Sequence, residues 1–481
     1  MLSLLWVYTH GFTLYWGDAE AHLNIARRIV EGRSTGYSQL GEPWLPLTHV
    51  LMLPFVVYDP LWRSGLAGAI PNAICFTAAA VFLFAATRRV LGTAAAWCAM
   101  ALFMLNPNAL YLQSIPMMEG VFFMGLMGIL FFTARYRDTQ SIGDLAGAAL
   151  MCLAASLTRY EGWVFIPAVT LYIFFNTRQA RAPRTLLFGA VASMGVAWWL
   201  LYNWQLAGDA LDFYRGPSSS KAIQGDRPYP GHGDWRVAIQ YYFTAAKLVI
   251  GWPLLWLGGI GLGVALWRRA FWPVTFLAFW PLFFIWSMHS SAQPIHVPPL
   301  WPHSWYNTRY ALAMLPLLAF GASALAHRMK AVVSVLVILG GAGFWLFHAD
   351  HENWITWKES EQNSIARRAW TRAAASYLET HAKPTDTFFS TFGDVSGIFR
   401  EAGIPFKRTL TWDDFPEWQA AVNRPDLFLW EDWAVAQRGD PVDETIHRAR
   451  ILGIHYDLAT EIGVVGATPI EIYQRHEYPF R

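Results

Sequence analysis

Residues 64–87 read SGLAGAIPNAICFTAAAVFLFAAT, an apolar stretch without a charged side chain, and Arg88 and Arg89 follow it directly. A helix needs about 20 mostly apolar residues to cross the hydrocarbon core of a bilayer. The stretch is therefore predicted to form a membrane-spanning helix that ends at a basic pair.

Similar apolar stretches recur along the 481 residues, which are 54% hydrophobic and only 15% charged. A soluble globular protein usually carries about 25% charged residues. The sequence predicts an α-helical polytopic membrane protein with about eleven spans, so the lipid bilayer is its first partner. The predicted spans cover residues 1–16, 64–87, 93–112, 116–134, 142–158, 162–176, 185–204, 239–267, 271–288, 306–327 and 331–348.

The basic residues predict how the chain is oriented, because short cytoplasmic loops collect Lys and Arg. A cytoplasmic N-terminus makes every predicted inner loop basic and nearly free of acid. These loops lie at residues 88–89, 135–137, 178–184, 268–269 and 328–330. The Pro-containing stretch 45–57 is predicted to be re-entrant, since a full crossing would turn all later basic loops outward.

The long apolar stretches end near residue 348, and residues 349–481 mix polar and apolar side chains. This change predicts a membrane domain of residues 1–348 followed by a small extracytoplasmic α/β domain of residues 349–481. Helical patterns cover residues 361–382, 394–402 and 443–452. Strand-like runs cover residues 387–391, 426–430, 455–458 and 469–473. This alternation of helical and strand patterns is typical of α/β domains.

Charge and cysteine content exclude several classes of function. The net charge of +2 is spread in pairs along the chain, which argues against nucleic acid as a partner. The three cysteines lie in apolar stretches, so neither a disulfide nor a cysteine metal cluster is expected. A channel or transporter usually places ionisable groups near the membrane midplane, whereas the predicted topology collects them on the outer face.

The first predicted span is followed by Gly17-Asp18-Ala19-Glu20-Ala21-His22, at the start of an amphipathic stretch predicted to be a surface helix. Asp18 could simply cap this helix, since Asp is favoured at the N-cap position. Two carboxylates and an imidazole at a lipid–water boundary also suit a reaction between a lipid-linked substrate and a polar acceptor. If the donor is a sugar on a lipid phosphate, one carboxylate suffices to deprotonate the acceptor hydroxyl. The departing phosphate then needs Arg, Lys or a metal nearby.

Several motifs resemble those of the GT-C superfamily of polyprenyl-phosphate-sugar glycosyltransferases, which includes protein O-mannosyltransferases and aminoarabinose transferases. Residues 17–22 and the Pro-rich stretch 43–49 look like its first outer loop. Asn106-Pro107 and residues 117–122 are similar to its third span and acidic second loop. Residues 157–162 are similar to its Thr-Arg-x-x-Gly turn, and residues 306–310 to its Arg-Tyr segment. The resemblance covers residues 1 to about 330.

This resemblance implies a role for each candidate residue. Asp18 would be the catalytic base and Glu20 a helper or metal-facing carboxylate, although the Asp-x-Glu spacing leaves open which of the two is the base. The implied substrate-binding residues are His22, Glu119, Arg159, Tyr160, Arg309 and Tyr310, with Arg159 and Arg309 on the donor phosphate. A divalent metal stays open as a cofactor. Simpler roles also stay open: Glu119 could mark the start of a span, and Arg159 could pair with Glu161.

The motifs and the predicted topology are compatible with three functions. The favoured one is inverting transfer of a sugar from a polyprenyl phosphate to an extracytoplasmic protein, lipid or glycan, in a bacterial inner membrane. A ligase or polymerase of lipid-linked glycans would instead depend on Arg and His residues in a late outer loop. A transporter is the third alternative, and the early acidic motif argues against it.

Overall fold

The computed structural model describes residues 1–41, 43–327, 329 and 331–476, so the predicted basic loop at Arg328 and Lys330 lies outside the described residues. The chain folds into two compact units. The first unit contains Met1–Val7, Glu42–Thr48 and Ile70–Glu359; the second contains Tyr8–Gly41, His49–Ala69 and Ser360–Arg481. The domain boundaries expected from sequence, residues 1–348 and 349–481, stay a prediction.

Helices account for most of the described structure. In chain order they are α1 (Leu2–Thr9), α2 (Gly17–Glu31), α3 (Leu47–Val56), α4 (Asp59–Ser64), α5 (Leu66–Leu91), α6 (Thr93–Met104), α7 (Pro107–Leu112), α8 (Glu119–Thr139), α9 (Ile142–Ser156), α10 (Glu161–Asn176), α11 (Arg181–Ala207), α12 (Asp212–Arg215), α13 (Ser220–Gln224), α14 (Trp235–Ile250), α15 (Trp252–Trp267), α16 (Phe271–Ser290), α17 (Leu315–Ala324), α18 (Ala331–Phe347), α19 (Ile355–His381), α20 (Ser396–Ala402), α21 (Glu417–Asn423), α22 (Pro425–Phe428) and α23 (Pro441–Ile451). Short 3-10 helices cover Tyr37–Gln39, Thr308–Met314, His351–Asn353, Gly393–Val395 and Phe406–Arg408.

Within the described residues, four helices are long and apolar enough to cross a membrane: α5, α8, α11 and α16. The helices α3, α6, α9, α10 and α18 are apolar but shorter. These helices support a multi-pass membrane protein, and the number of eleven spans stays a prediction.

The predicted single span 239–267 is wrong in its geometry, because α14 and α15 meet at an angle of 110°. Gly251 lies between them with a φ of +89°, a conformation that side chains other than Gly rarely adopt. Pro253 stands in the first turn of α15 and has no N–H to continue the hydrogen bonding of α14. The Gly-Trp-Pro sequence therefore breaks the apolar run.

The second unit contains a five-stranded sheet of order β2-β1-β3-β5-β4. Its strands are β1 (Phe388–Ser390), β2 (Thr409–Leu410), β3 (Trp433–Gln437), β4 (Tyr456–Ile462) and β5 (Ile470–Arg475). The β1 strand is parallel to both neighbours, whereas β5 is antiparallel to β3 and β4.

Three of the four predicted strands are present, and the one expected at residues 426–430 is wrong. Pro425 opens the short helix α22 there, because its fixed φ and missing N–H suit the first helical position. The strand of that region, β3, begins only at Trp433. The two-residue strand β2 was not predicted, since it is too short to show a periodic pattern.

The helices α2 and α3 pack into the core of the second unit. Leu23 of α2 and Met52 of α3 lie in one buried hydrophobic cluster with Trp370 of α19 and Phe388 of β1. The apolar side chains of α2 and α3 in this cluster are removed from water by the sheet domain, which gives the same stabilisation that lipid contact would give. The positions of α2 on the membrane surface and of the stretch 45–57 as a re-entrant segment stay predictions.

Candidate active site

The acidic motif lies at the start of α2, which begins at Gly17 with Trp16 in the N-cap position. Trp16 makes no side-chain capping hydrogen bond, and Asp18 lies inside the first turn. The interpretation of Asp18 as an N-cap is therefore wrong. A carboxylate in the first turn is still favoured by the positive end of the helix dipole, and the Asp18 side chain remains half-buried.

Glu20 is 3% exposed and pairs with two guanidinium groups of the second unit. Arg367 of α19 contacts its Oε2, and Arg400 of α20 donates from Nε to its Oε1 at 3.0 Å. Gly397 leaves space for this carboxylate, because a Cβ there would lie 2.5 Å from Oε1. Both carboxylate oxygens of Glu20 therefore form ion pairs, one with Arg367 and one with Arg400.

Arg367 links Glu20 to the chain that precedes Asp18. Its Nη2 donates to the backbone carbonyls of Leu14 at 3.0 Å and Tyr15 at 2.8 Å. Burial lowers the pKa of Arg367, while the carboxylates of Asp394 and Asp18 raise it. Asp18 is therefore close enough to interact electrostatically with the Arg367 guanidinium, which also pairs with Glu20.

His22 lies fully buried beside His49 of α3. The Nδ1 atom of His22 is 2.9 Å from Nε2 of His49, whose Nδ1 is 3.1 Å from the carbonyl oxygen of Leu40. Because a carbonyl only accepts, His49 donates from Nδ1 and accepts on Nε2, and the proton between the rings belongs to His22. The pair joins α2 to α3, and the substrate-binding role of His22 stays a prediction.

A second cluster lies in the first unit and brings Glu119, Arg159 and Arg309 together, as the motifs predicted. Oε1 of Glu119 is 3.3 Å from Nη1 of Arg159 and 3.4 Å from Nε of Arg309. Oε1 of Glu161 accepts from Arg159 Nε at 3.0 Å and from Nη2 at 2.6 Å. The four residues stand at the start of α8, before and at the start of α10, and in the 3-10 helix Thr308–Met314.

Aromatic rings line this cluster. Tyr310 stacks on Phe284 with ring centroids 4.5 Å apart, and Cζ of Arg159 is 5.5 Å from the Tyr310 ring. Tyr160 makes different contacts: its Oη donates to the carbonyl of Pro43 at 2.5 Å, and its ring stacks on Phe213 at 4.8 Å. The structure therefore joins Tyr310 to the charged cluster, whereas Tyr160 packs against Phe213 and binds the Pro43 carbonyl.

The cluster contains two carboxylates and two guanidinium groups, each at most 8% exposed. Removing one partner of such a pair leaves an uncompensated buried charge, so the four depend on one another. The prediction that Arg159 pairs with Glu161 is confirmed. A guanidinium has five N–H donors, and Arg159 gives three to carboxylates, which leaves two for an anion such as a phosphate.

Sequence reasoning did not find Arg367, Arg400 or Glu359. Arg367 lies 347 positions from Glu20 and Arg400 lies 380 positions from it, so no local pattern connects them. Each stands on a helix of the α/β domain among other charged residues and carries no motif. Within residues 1–41, 43–327, 329 and 331–476, no group of three or more His, Cys, Asp or Glu side chains fits a metal ion.

Comparisons with known proteins agree with this architecture. A family model described as dolichyl-phosphate-mannose-protein mannosyltransferase matches residues 62–202. No curated relative matches the chain. The chain is similar to the crystal structure of ArnT from Cupriavidus metallidurans in the apo state, with 14% identity, a TM-score of 0.60, and coverage of 98% of this chain and 96% of that chain. It is also similar to the same protein bound to undecaprenyl phosphate, with 14% identity, a TM-score of 0.58, and coverage of 98% and 97%.

The two solved structures share the fold of this chain, which confirms the predicted helical membrane protein with a small C-terminal sheet domain. The family match over residues 62–202 agrees with the resemblance found in the sequence. Glu119 and Arg159 fall inside the matched residues, whereas Asp18 and Arg309 fall outside them. The roles of individual residues stay predictions.

Proposed function

We propose that the protein is an inverting glycosyltransferase that moves one sugar from a polyprenyl phosphate to a hydroxyl group of an extracytoplasmic acceptor. The GT-C fold supports this proposal, and one similar structure contains undecaprenyl phosphate. The single observation that carries it is the difference in exposure between the two carboxylates of α2. Glu20 is 3% exposed with both oxygens on guanidinium groups, whereas the side chain of Asp18 is only half-buried in the first turn of the same helix.

Asp18 is the catalytic base in this proposal, and Glu20 holds α2 in place. A general base must be ionised and able to reach the acceptor proton. Both oxygens of Glu20 point to Arg367 and Arg400, so Glu20 cannot turn toward a substrate without breaking a buried ion pair. Through Arg367, the same ion pair also fixes the backbone that leads into Asp18.

The reaction is a single displacement at the anomeric carbon of the sugar. The acceptor oxygen forms a bond to this carbon while Asp18 takes the hydroxyl proton. The bond from the anomeric carbon to the phosphate oxygen breaks, and the electron pair leaves with the polyprenyl phosphate. Because the phosphate is already a stable anion, no general acid is needed, in contrast to glycoside hydrolysis.

Arg159 and Arg309 bind the donor phosphate in this proposal. Guanidinium groups form strong charge-assisted hydrogen bonds to phosphate oxygens. Glu161 orients Arg159 through two hydrogen bonds, and Glu119 balances the charge of both arginines. Tyr310 supplies an aromatic wall beside them. His22 and Tyr160 stay further candidates for substrate contact.

The basic loops support a cytoplasmic N-terminus, and we place the protein in a bacterial inner membrane with residues 349–481 outside the cytoplasm. The acceptor is a protein, lipid or glycan on that side.

Lipid mass spectrometry on cells tests the proposal. Four strains are compared: wild type, a deletion, Asp18→Asn, and Asp457→Asn as a matched carboxylate-to-amide control on an exposed residue of β4. A polyprenyl-phosphate sugar is expected to accumulate in the deletion and in Asp18→Asn, and to stay low in wild type and Asp457→Asn. Immunoblots of the membrane fraction check that the variants are present at equal levels.

Two results would overturn the proposal. A deletion strain without any accumulated polyprenyl-phosphate sugar would argue against this donor. An Asp18→Asn strain that behaves as wild type would remove Asp18 from the chemistry. Loss of function on substitution of Arg309, or of His303 in the predicted late outer loop before it, would then favour a glycan ligase or polymerase.

A further inference from the structure

Glu359 is a buried carboxylate near the start of α19 that no sequence motif includes. It is 3% exposed, and it accepts three hydrogen bonds from one short segment. The backbone N–H of Asn307 donates to Oε1 at 2.6 Å, and that of Thr308 donates to Oε2 at 2.9 Å. The Thr308 hydroxyl also donates to Oε2.

These contacts cap the 3-10 helix Thr308–Met314. The first N–H groups of a helix have no partner within the helix, so a capping acceptor must come from elsewhere. The side chain of Asn307, the N-cap residue, makes no cap hydrogen bond of its own. Glu359 therefore performs the capping function from a distant part of the chain, with a charge that suits the positive end of the helix.

Asn307 also needs an external restraint, because its φ is +55°. A residue other than Gly in this left-handed region costs free energy that the surroundings must offset. The bond from its N–H to Glu359 and the bond from its Nδ2 to the Pro294 carbonyl at 3.2 Å hold it there. The direction in which the chain continues from Asn307 is thus set by Glu359.

Arg309 is the next residue after Thr308, and its Nε lies 3.4 Å from Glu119 Oε1. We infer that Glu359 is a positioning residue for donor binding: it fixes the turn that presents Arg309 to the phosphate. The inference rests on the proposed function, because it assigns Glu359 to the phosphate-binding arginine. Glu359 itself touches backbone and Thr308, so it acts only through Arg309.

The test is a double-mutant cycle on the full chain in nanodiscs, with undecaprenyl phosphate as the probe and undecaprenol as the phosphate-free control. The four proteins are wild type, Glu359→Gln, Arg309→Lys and the double variant. The amide of a glutamine has one accepting oxygen, and its NH2 group would face the N–H groups of Asn307 and Thr308. At least one of the hydrogen bonds that Glu359 accepts is therefore lost. Glu359→Gln and Arg309→Lys are each expected to weaken binding at least about tenfold, which is the range of one charge-assisted hydrogen bond. The double variant is expected to bind no more weakly than the poorer single variant.

Glu352→Gln is the matched control, since it removes an exposed charge shortly before α19 and is expected to leave binding unchanged. If Glu359→Gln does not fold, Thr308→Val removes only the hydroxyl bond and is expected to show a smaller effect with the same non-additivity. Purely structural damage would lower the folded fraction without changing the Kd of the folded molecules.

The outcomes separate the two claims. A wild-type protein that binds undecaprenyl phosphate no better than undecaprenol overturns the proposed function. A wild type that binds, with Arg309→Lys impaired but Glu359→Gln unaffected or fully additive, overturns only the role of Glu359.

Discussion

Glu20 of α2 and Arg367 of α19 form an ion pair inside the second unit, although 347 positions separate them in the chain. Glu20 is 3% exposed and Arg367 is 7% exposed, so water contributes little to solvating either charge. Arg400 shares the carboxylate from a third helix. The helix that carries Asp18 is therefore fixed to the sheet domain by charges that depend on one another.

Glu20→Gln is expected to destabilise the folded protein by about 3–5 kcal/mol, because it leaves two buried guanidinium groups without their carboxylate. The thermal unfolding midpoint of the purified protein measures this loss. Asp18→Asn changes a half-buried residue and should lower the midpoint far less. Glu444→Gln, on the exposed side of α23, is the control and should change stability by less than about 0.5 kcal/mol. Equal stability of Glu20→Gln and wild type would contradict the anchoring role.

Gly397→Ala tests the space around the same carboxylate. The added Cβ would lie 2.5 Å from Glu20 Oε1, so α20 or the carboxylate must shift. Overpacking of this kind costs about 1–3 kcal/mol, although alanine alone would favour the helix. Gly463→Ala is the matched control, because a Cβ there meets nothing within 4 Å. Unfolding midpoints that rank Gly397→Ala no lower than Gly463→Ala would show that the carboxylate moves freely.

The apolar helices could be predicted from the sequence because composition and length carry most of that signal. The predicted stretch 64–87 corresponds to α5, which runs from Leu66 to Leu91. The break at Gly251 was missed because the residues on both sides are equally apolar, so composition and length do not show it, although Gly251 and Pro253 mark it in the sequence. The packing partner of α2 was missed for a related reason. An apolar face in a sequence indicates that the helix is covered there, but it does not tell whether lipid or protein covers it.

The candidate site was predictable where residues stand in local motifs. Glu119, Arg159 and Arg309 each belong to a short recognisable segment, and the structure brings them together. Arg367, Arg400 and Glu359 support the site through contacts with residues far away in the chain. Such contacts leave no periodicity or spacing in the sequence, so only the folded chain reveals them.

The lowered pKa of His49 implies that the stability of the folded protein depends on pH. It stands in the ten-residue helix α3, which is too short to span a membrane. Burial, followed by the neighbouring His22, holds the pKa of His49 well below 6.5. Below about pH 6.5 the unfolded chain therefore binds a proton that the folded protein does not, and stability falls as the pH is lowered. The expected loss is at most about 1.4 kcal/mol per pH unit.

The comparison of wild type with His49→Gln isolates this contribution. Thermal unfolding is measured from pH 7.5 to pH 5 for both proteins. The wild-type midpoint is expected to fall more steeply below pH 6.5, because the variant lacks the titrating group. Parallel curves would show that His49 has the same pKa in the folded and unfolded chain.

Arg159→Lys tests whether the buried arginine binds phosphate or only completes an ion-pair cluster. Lysine keeps the charge but loses the planar fork that Glu161 orients through Nε and Nη2. Binding of undecaprenyl phosphate is expected to weaken about tenfold or more, because at least one charge-assisted hydrogen bond is lost. Arg135→Lys is the matched control at a half-exposed arginine that pairs with Asp144, and it should bind as wild type. If Arg159→Lys keeps wild-type affinity while its unfolding midpoint falls, Arg159 serves Glu119 and Glu161 alone, and the phosphate must be bound by other residues.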